Sequence, residues 1–268
     1  MSAPSIDSLS GYRRRFVVTP GPGQVCSELE DDYHCMGVTV RHTDGVAVAI
    51  EPMMERAPWT TCPGAVAQLK DTFTGVALDA FAMRGDKQAN CTHLHDLAVL
   101  AAAHADDERP LVYDILVSDP IDGLRRAELR RNGAMVLSWT VANETIVEPV
   151  ELAGVKLFAM QPWIKTLDTD GQEAAKLLRW GNLVANGRMI PLEQQSDARA
   201  MPQGACYTFQ PQRAAVAKRV GQIRDFSRGT AHPLDRRPGA ATQPETAGVP
   251  PSIDAVLRQD GGTPHEDE

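Results

Sequence analysis

The sequence predicts an α+β protein, in which an antiparallel strand meander followed by helices packs against a second strand-rich half. Three observations predict this class. Strand-like alternation of apolar and polar residues dominates the start of each half, at about residues 12–52 and 110–146. Two tight-turn signals, "HTDG" at 42–45 and "RRNG" at 130–133, are typical of hairpins. In both halves the helical patterns follow the strands, which disfavours an alternating parallel plan.

The first half, residues 1–108, contains three predicted strands, in "RRRFVVTP", "YHCMGVTVRH" and "VAVAIEP". Period-2 alternation in the middle strand places Asp32, His34 and Met36 on one face, which is apolar further along. A helix follows in "GAVAQLKDTFTG", with Gly75 as its stop. A second helix is predicted in "HLHDLAVLAAAHA", with Asn90 or Thr92 as its N-cap.

The second half, residues 109–227, contains predicted strands in "PLVYDILVSD", "LRRAELRRNG" and "AMVLSWTVANETI". Helical spacing predicts one helix in "DGQEAAKLLRWGNLVANG" and another in "QRAAVAKRVGQIRDF". Beyond Phe226 the composition becomes rich in Pro, Gly and charge without periodicity, so residues 228–268 are predicted to be a disordered tail.

Composition narrows the class of partner. The 268-residue chain carries 27 basic and 35 acidic residues, a net charge of −8 that disfavours nucleic acid as a partner. The sequence contains no apolar run long enough to span a membrane, and its N-terminus lacks a signal-like apolar core. We therefore expect a cytoplasmic protein without a membrane partner. Five cysteines form an odd set that argues against a disulfide framework. A small-molecule substrate is expected, and the oligomeric state is left open.

A set of cysteines and histidines is the strongest chemical signal. Cys62 in "TTCPGA" and Cys91 in "CTHLHDL" each stand where a helix is predicted to begin, and a helix start lowers the pKa of a thiol. His93, His95, His34 and Asp32 could complete a site for zinc or ferrous iron. The alternative is structural, with the thiols as small buried apolar groups and the histidines as caps or surface residues.

The stretches "ELEDDYH", "HTDG", "RAPWTTCPGA" and "CTHLHDLAVLA" resemble a bacterial family known only as a domain of unknown function. The resemblance extends through "GACYTFQPQRA" to "IRDF". The family pattern matches residues that include the expected ligands but leaves His95 free; the matched positions are His34, Arg56, Trp59, Cys62, Pro63, Cys91, Thr92, His93 and Asp96. The resemblance therefore favours His93 over His95 as a ligand.

More remotely, the order of strands, turn and cysteine-led helices in the first half is similar to the iron–sulfur scaffold proteins of the IscU and NifU type. Those proteins use three cysteines and an aspartate. Here the first scaffold position falls near residues 31–34, where no cysteine aligns unless Cys35 serves. A mixed site holding one divalent ion, zinc or iron, is therefore expected, with Cys62, Cys91, His93 and either His34 or Asp32 as ligands.

The expected function is a metal-dependent enzyme, a lyase or hydrolase acting on a small carboxylated, acyl or aromatic compound. Arg56 lies beside Cys62 in the sequence and is the candidate for binding a substrate anion. The alternative is a metal or iron–sulfur carrier, which needs an exposed site. The long second half would cover the site and so favours the enzyme, although a purely structural protein also remains open.

Overall fold

The computed structural model describes residues 4–191, 196–227 and 231–235, and the predicted α+β class is confirmed. A single eight-stranded antiparallel sheet has the order β4-β3-β2-β1-β5-β6-β7-β8. Its strands are β1 (Gly11–Gly21), β2 (Gln24–Asp31), β3 (Cys35–Thr43), β4 (Val46–Arg56), β5 (Leu111–Ser118), β6 (Arg125–Arg131), β7 (Ala134–Ala142) and β8 (Thr145–Glu148). The α-helices are α1 (Ala65–Phe73), α2 (Thr92–Ala103), α3 (Gln161–Ile164), α4 (Thr169–Ala185) and α5 (Pro211–Ala214).

Both predicted hairpin turns are confirmed. Asp44 and Gly45 connect β3 to β4 with φ angles of 50° and 74°, and Asn132 and Gly133 connect β6 to β7 with 49° and 83°. Two consecutive left-handed residues define a turn whose twist matches that of the flanking strands. Asn, Asp and Gly tolerate this conformation best, so the turn residues set the hairpin connections.

The two halves of the chain share one sheet, because β1 pairs with β5 at its centre, with Tyr12 opposite Val117 and Phe16 opposite Tyr113. Helices α1 and α2 pack on the strands of the first half, and α4 packs on β5, β6 and β7. The buried side chains between the helices and the sheet form one continuous core. No helix among the described residues is both long and apolar enough to cross a membrane.

Helix α4 approaches the sheet closely at Gly181. A Cβ atom built there would lie 2.6 Å from Cγ2 of Ile115, a side chain that is fully buried. We therefore expect Gly181→Ala to lower the free energy of unfolding by about 1–3 kcal/mol, because a packed core resists added volume. Urea unfolding measures this change. Gly85→Ala is the matched control, since no atom lies within 4 Å of the added Cβ; an equal loss in both variants would contradict the packing argument.

The helix predicted over 212–226 is wrong beyond its first turn, since α5 ends at Ala214. The chain instead runs beside residues 58–60: the Thr60 N–H donates to Lys218 O, and the Val220 N–H donates to Pro58 O, each at 2.9 Å. Gly221 then has a φ of 79°, which a helix does not accommodate. Long-range backbone pairing therefore outweighs the local helical spacing.

The start of helix α2 differs from the expectation by one residue. The N-cap of α2 is Cys91, not Asn90 or Thr92. The Asn90 side chain is used elsewhere, because its amide donates to Thr72 Oγ1 at 3.0 Å and to Asp86 O at 2.9 Å.

The predicted tail, 228–268, lies outside the described residues except for 231–235, where Leu234 is buried.

Candidate functional site

A cavity of about 460 Å³ lies where the helix layers of the two halves meet. The first half contributes the start of α2 and the connection between β2 and β3, and the second half contributes the end of α4. Residues 201–209 close another side. Most lining side chains are apolar, including Met36, Trp59, Phe158, Trp180 and Leu183. Two histidines and three cysteines also line it, namely His34, His93, Cys62, Cys91 and Cys206.

The connection between β2 and β3 is a tight turn rather than strand, which corrects the predicted strand over residues 33–34. The Asp31 N–H donates to His34 O at 2.9 Å and closes the turn. Asp31 Oδ1 accepts from the N–H groups of Tyr33 at 2.7 Å and His34 at 2.8 Å. An aspartate that bonds the backbone N–H groups ahead of it favours a turn over strand continuation.

The Asp31 carboxylate is the most heavily bonded group of the site. Its Oδ2 accepts from Tyr12 Oη at 2.7 Å and from Arg14 Nε and Nη2 at 2.9 and 2.5 Å. The side chains of Asp31 and Arg14 are both fully buried. Burial would raise the pKa of Asp31, but nearby His34 and Arg14 outweigh it and hold this pKa well below its usual value. Asp31 is therefore an ionised acceptor.

His34 is oriented by this carboxylate. Its Nδ1 lies 3.0 Å from Asp31 Oδ1 and 3.2 Å from Oδ2. Because an ionised carboxylate only accepts, Nδ1 must carry the proton, and in the neutral ring Nε2 then has a lone pair. The ring lines the cavity, whereas the neighbouring Cys35 donates its thiol to Glu55 Oε2 at 3.0 Å. The carboxylate–histidine pair thus has the arrangement of a general base.

His93, in the first turn of α2, lies against His34 with ring centroids 3.9 Å apart and planes inclined by 31°. Its Nε2 is 3.1 Å from Arg14 Nη2. A guanidinium only donates, so Nε2 accepts and Nδ1 carries the proton. Burial, with His34 and Arg14 nearby, holds the pKa of His93 well below its usual value. His93 is therefore a neutral ring with one N–H to donate.

Asp31, His34 and His93 also form a possible metal group, since one ligand atom from each lies within 4.8 Å of the others. Arg14 competes for that position. Its Nη2 bonds both Asp31 Oδ2 and His93 Nε2, at 2.5 and 3.1 Å. A cation at a shared ligand point repels a second cation strongly in a buried site. The residues fit a divalent ion only if the Arg14 side chain moves away.

The two predicted thiol ligands lie on the cavity wall together with Cys206, and both are almost fully buried. Among the residues the structure describes, the ligand group within 4.8 Å does not include either thiol. Burial raises the pKa of Cys62, although the Thr208 hydroxyl donates to its sulfur at 3.4 Å. Burial raises the pKa of Cys91 to about 12. The expected activation by a helix start is therefore outweighed by desolvation.

Asp32, another predicted ligand, points to Arg188, whose Nη1 lies 2.7 Å from Asp32 Oδ2. Burial raises the pKa of Asp32 to about 7, despite the lowering effect of Arg188. The Arg188 guanidinium also bonds Asp119, at 2.7 and 3.0 Å. Arg188 belongs to the turn after α4, residues Asn186–Met189. This contact joins the cavity wall of the second half to the β2–β3 turn.

Arg56, the candidate anion binder, has its guanidinium engaged with the same turn. Nη1 donates to Asp32 O at 2.7 Å, and Nη2 donates to Asp31 O at 2.7 Å and His34 O at 3.2 Å. Nη2 also pairs with Glu30 Oε1 at 3.0 Å. The arginine on the cavity wall is Arg219, which donates to Pro58 O and Val220 O.

The sequence signal for three central residues of the site, Tyr12, Arg14 and Asp31, is weaker than that for the cysteines and histidines. The signal for Arg14 was present, because period 2 in β1 places it on the same face as Tyr12, Phe16 and Val18, which are all buried. A charged side chain buried at that position needs a partner of opposite charge, and Asp31 on the neighbouring strand β2 supplies it.

Comparison of the chain with known protein-family models and with curated proteins gives no match.

Proposed function

We propose that the protein is an enzyme whose general base is His34, oriented by Asp31. The observation that carries this proposal is the 3.0 Å contact between His34 Nδ1 and a fully buried, ionised carboxylate, beside a cavity that His34 itself lines. A histidine held in one tautomer presents its other nitrogen to accept a proton. Asp31 would also stabilise the imidazolium that forms when His34 accepts that proton.

His93 supplies the complementary function. Arg14 fixes its Nε2 as an acceptor, so its Nδ1–H remains to donate to an oxygen on which negative charge develops. The two adjacent rings then perform proton removal and charge stabilisation side by side. Hydrolysis of an acyl bond, or elimination beside a carbonyl, uses this pair of functions. The proposed reaction is therefore of the hydrolase or lyase type.

The cavity supports a small acyl or aromatic substrate. Its volume of about 460 Å³ falls in the range of small-molecule sites. Trp59, Phe158 and Trp180 supply aromatic walls, and Glu144 and Arg219 are its only lining residues with an acidic or guanidinium side chain among those the structure describes. The odd number of free cysteines further supports a reducing, cytoplasmic setting.

A panel of aryl esters, thioesters and β-substituted carbonyl compounds tests this function. We expect His34→Gln to lower kcat/KM on any accepted compound by roughly 10²–10⁴-fold, the usual contribution of a general base. His42→Gln is the matched control, because His42 lies on β3 at the far end from the cavity and does not line it. Unchanged turnover in His34→Gln would contradict the proposal.

A second candidate is a metal-dependent enzyme, favoured by the 4.8 Å grouping of Asp31, His34 and His93. Zinc or ferrous iron bound there would activate water or polarise a carbonyl. Cys62 and Cys91 on the same cavity wall are the thiols that could join the ligand set if the site rearranges. A carrier of metal or of an iron–sulfur cluster, with an IscU-like first half, would use the same residues. Transfer of cargo to an apo-acceptor would distinguish the carrier from both enzymes.

A further inference from the structure

We infer that Arg56 and Glu30 are positioning residues for the Asp31–His34 pair, and that Arg224 and Leu234, late in the sequence, complete their support. This inference rests on the proposed function of the pair. It assigns a role to residues that do not line the cavity and to a part of the chain far from the site in sequence.

Arg56 binds the turn through its backbone. Three carbonyl oxygens of the turn, those of Asp31, Asp32 and His34, accept from its two terminal nitrogens at 2.7–3.2 Å. The Asp32 carbonyl also accepts from the Arg224 N–H at 2.8 Å. The N–H groups of Tyr33 and His34 are held by Asp31 Oδ1. The N–H and carbonyl groups of the turn are thus held by fixed partners, which limits rotation of the backbone that carries the side chains of Asp31 and His34.

Glu30 anchors this arrangement from the opposite face of β2. Side chains alternate along a strand, so Glu30 points away from the face that Asp31 occupies. Its Oε1 accepts from Arg56 Nη2 at 3.0 Å and Arg224 Nη1 at 2.9 Å, and its Oε2 accepts from the Leu234 N–H at 2.7 Å. Glu30 is buried, as is Leu234. The geometry around a buried carboxylate with charged partners is restrictive. Each hydrogen bond that is lost leaves the desolvation of the charged group uncompensated.

The planar guanidinium is essential to this role. Arg56 reaches three carbonyls and one carboxylate through a rigid fork, whereas a lysine ammonium at the same place is a single point charge on a flexible stem. Arg56→Lys therefore preserves the charge beside Glu30 but loses the simultaneous bonds to the turn. Arg224→Ala removes the side-chain contact with Glu30 while its backbone bond to Asp32 O is retained.

The test uses ¹⁵N-edited NMR of the His34 ring in the full chain, together with thermal melting. The wild type should show a proton on Nδ1 in slow exchange with water. In Arg56→Lys and Arg224→Ala we expect this resonance to broaden and exchange faster, and kcat on an accepted substrate to fall by roughly 10–100-fold, as for a small misplacement of a catalytic group. Arg41→Ala is the matched control, since it breaks only exposed side-chain contacts, those of Arg41 with Glu51 and Gln24.

A melting temperature that falls while the Nδ1–H resonance and kcat stay unchanged would overturn the inference, leaving Arg56 with a structural role alone and the proposed function intact. A wild-type ring protonated on Nε2 instead of Nδ1 would remove the proposed function, and this inference with it. The two failures are thus distinguishable, because only the second is visible in the unmodified protein.

Discussion

Replacement of Asp31 by asparagine is expected to lower the free energy of unfolding by about 3–5 kcal/mol, the usual cost of leaving one partner of a buried ion pair alone. Arg14, whose side chain is fully buried, would lose its only carboxylate among the described residues. Turnover should fall by about 10⁴-fold, because an amide does not hold the histidine in the required tautomer or stabilise its charged form. Denaturant unfolding and kcat measure the two effects.

The neighbouring Asp32 provides the control. Burial raises its pKa to about 7, so a large fraction of it is uncharged near neutral pH. Asp32→Asn therefore removes less charge and should cost clearly less stability than Asp31→Asn when both are measured at pH 7. A cost for Asp32→Asn that equals or exceeds that of Asp31→Asn would contradict the central position given to the Asp31–Arg14 pair.

The same pair predicts how stability depends on acid. The folded pKa of Asp31 lies well below its usual value, so the unfolded chain binds the proton more readily. The stabilisation is then complete above the ordinary aspartate pKa of about 4 and is lost as pH falls below it. Wild-type unfolding free energy should decrease through this range, and Asp31→Asn should make that decrease smaller.

Replacement of Arg14 by glutamine is expected to convert the site into a zinc site. Two unit charges 4 Å apart interact by about 4 kcal/mol at an effective dielectric of 20, so removal of the guanidinium should strengthen zinc binding by roughly 10²–10³-fold. Calorimetric titration measures the affinity, and zinc should raise the melting temperature of this variant. Asp31, His34 and His93 would be the ligands.

Arg13→Gln is the matched control for this experiment. Arg13 lies next to Arg14 on β1, but its guanidinium donates to the carbonyl oxygens of Ile6, Leu9 and Tyr12. Its removal should leave zinc affinity unchanged. If Arg14→Gln binds zinc no more tightly than Arg13→Gln does, Arg14 does not exclude a metal from the site.

The sequence predicted those parts of the fold that depend on local chemistry. The turns at Asp44–Gly45 and Asn132–Gly133 follow from residues that tolerate positive φ, and α4 follows from helical spacing. The short α5 was mispredicted, because backbone pairing with residues 58–60 is not encoded near residue 212.

The candidate site was predicted only in part for the same reason. His34 and His93 were named, and the structure brings their rings together. Asp31 and Arg14 meet only through the register of β1 against β2, in which Arg14 is opposite Asp31. No single stretch of sequence contains that pairing. Likewise, the distance of Cys62 from the histidines depends on how the segment before α1 and the start of α2 pack on the sheet.

Titration of chelator-treated wild-type protein with zinc tests the central claim most directly, because it asks which cation the site holds. If Arg14 is the resident cation and His34 is a free general base, zinc should show no stoichiometric binding tighter than about 1 μM, a free energy of roughly −8 kcal/mol. One equivalent bound more tightly than this, and lost in both His34→Gln and His93→Gln, would contradict the account and establish the metal-dependent alternative.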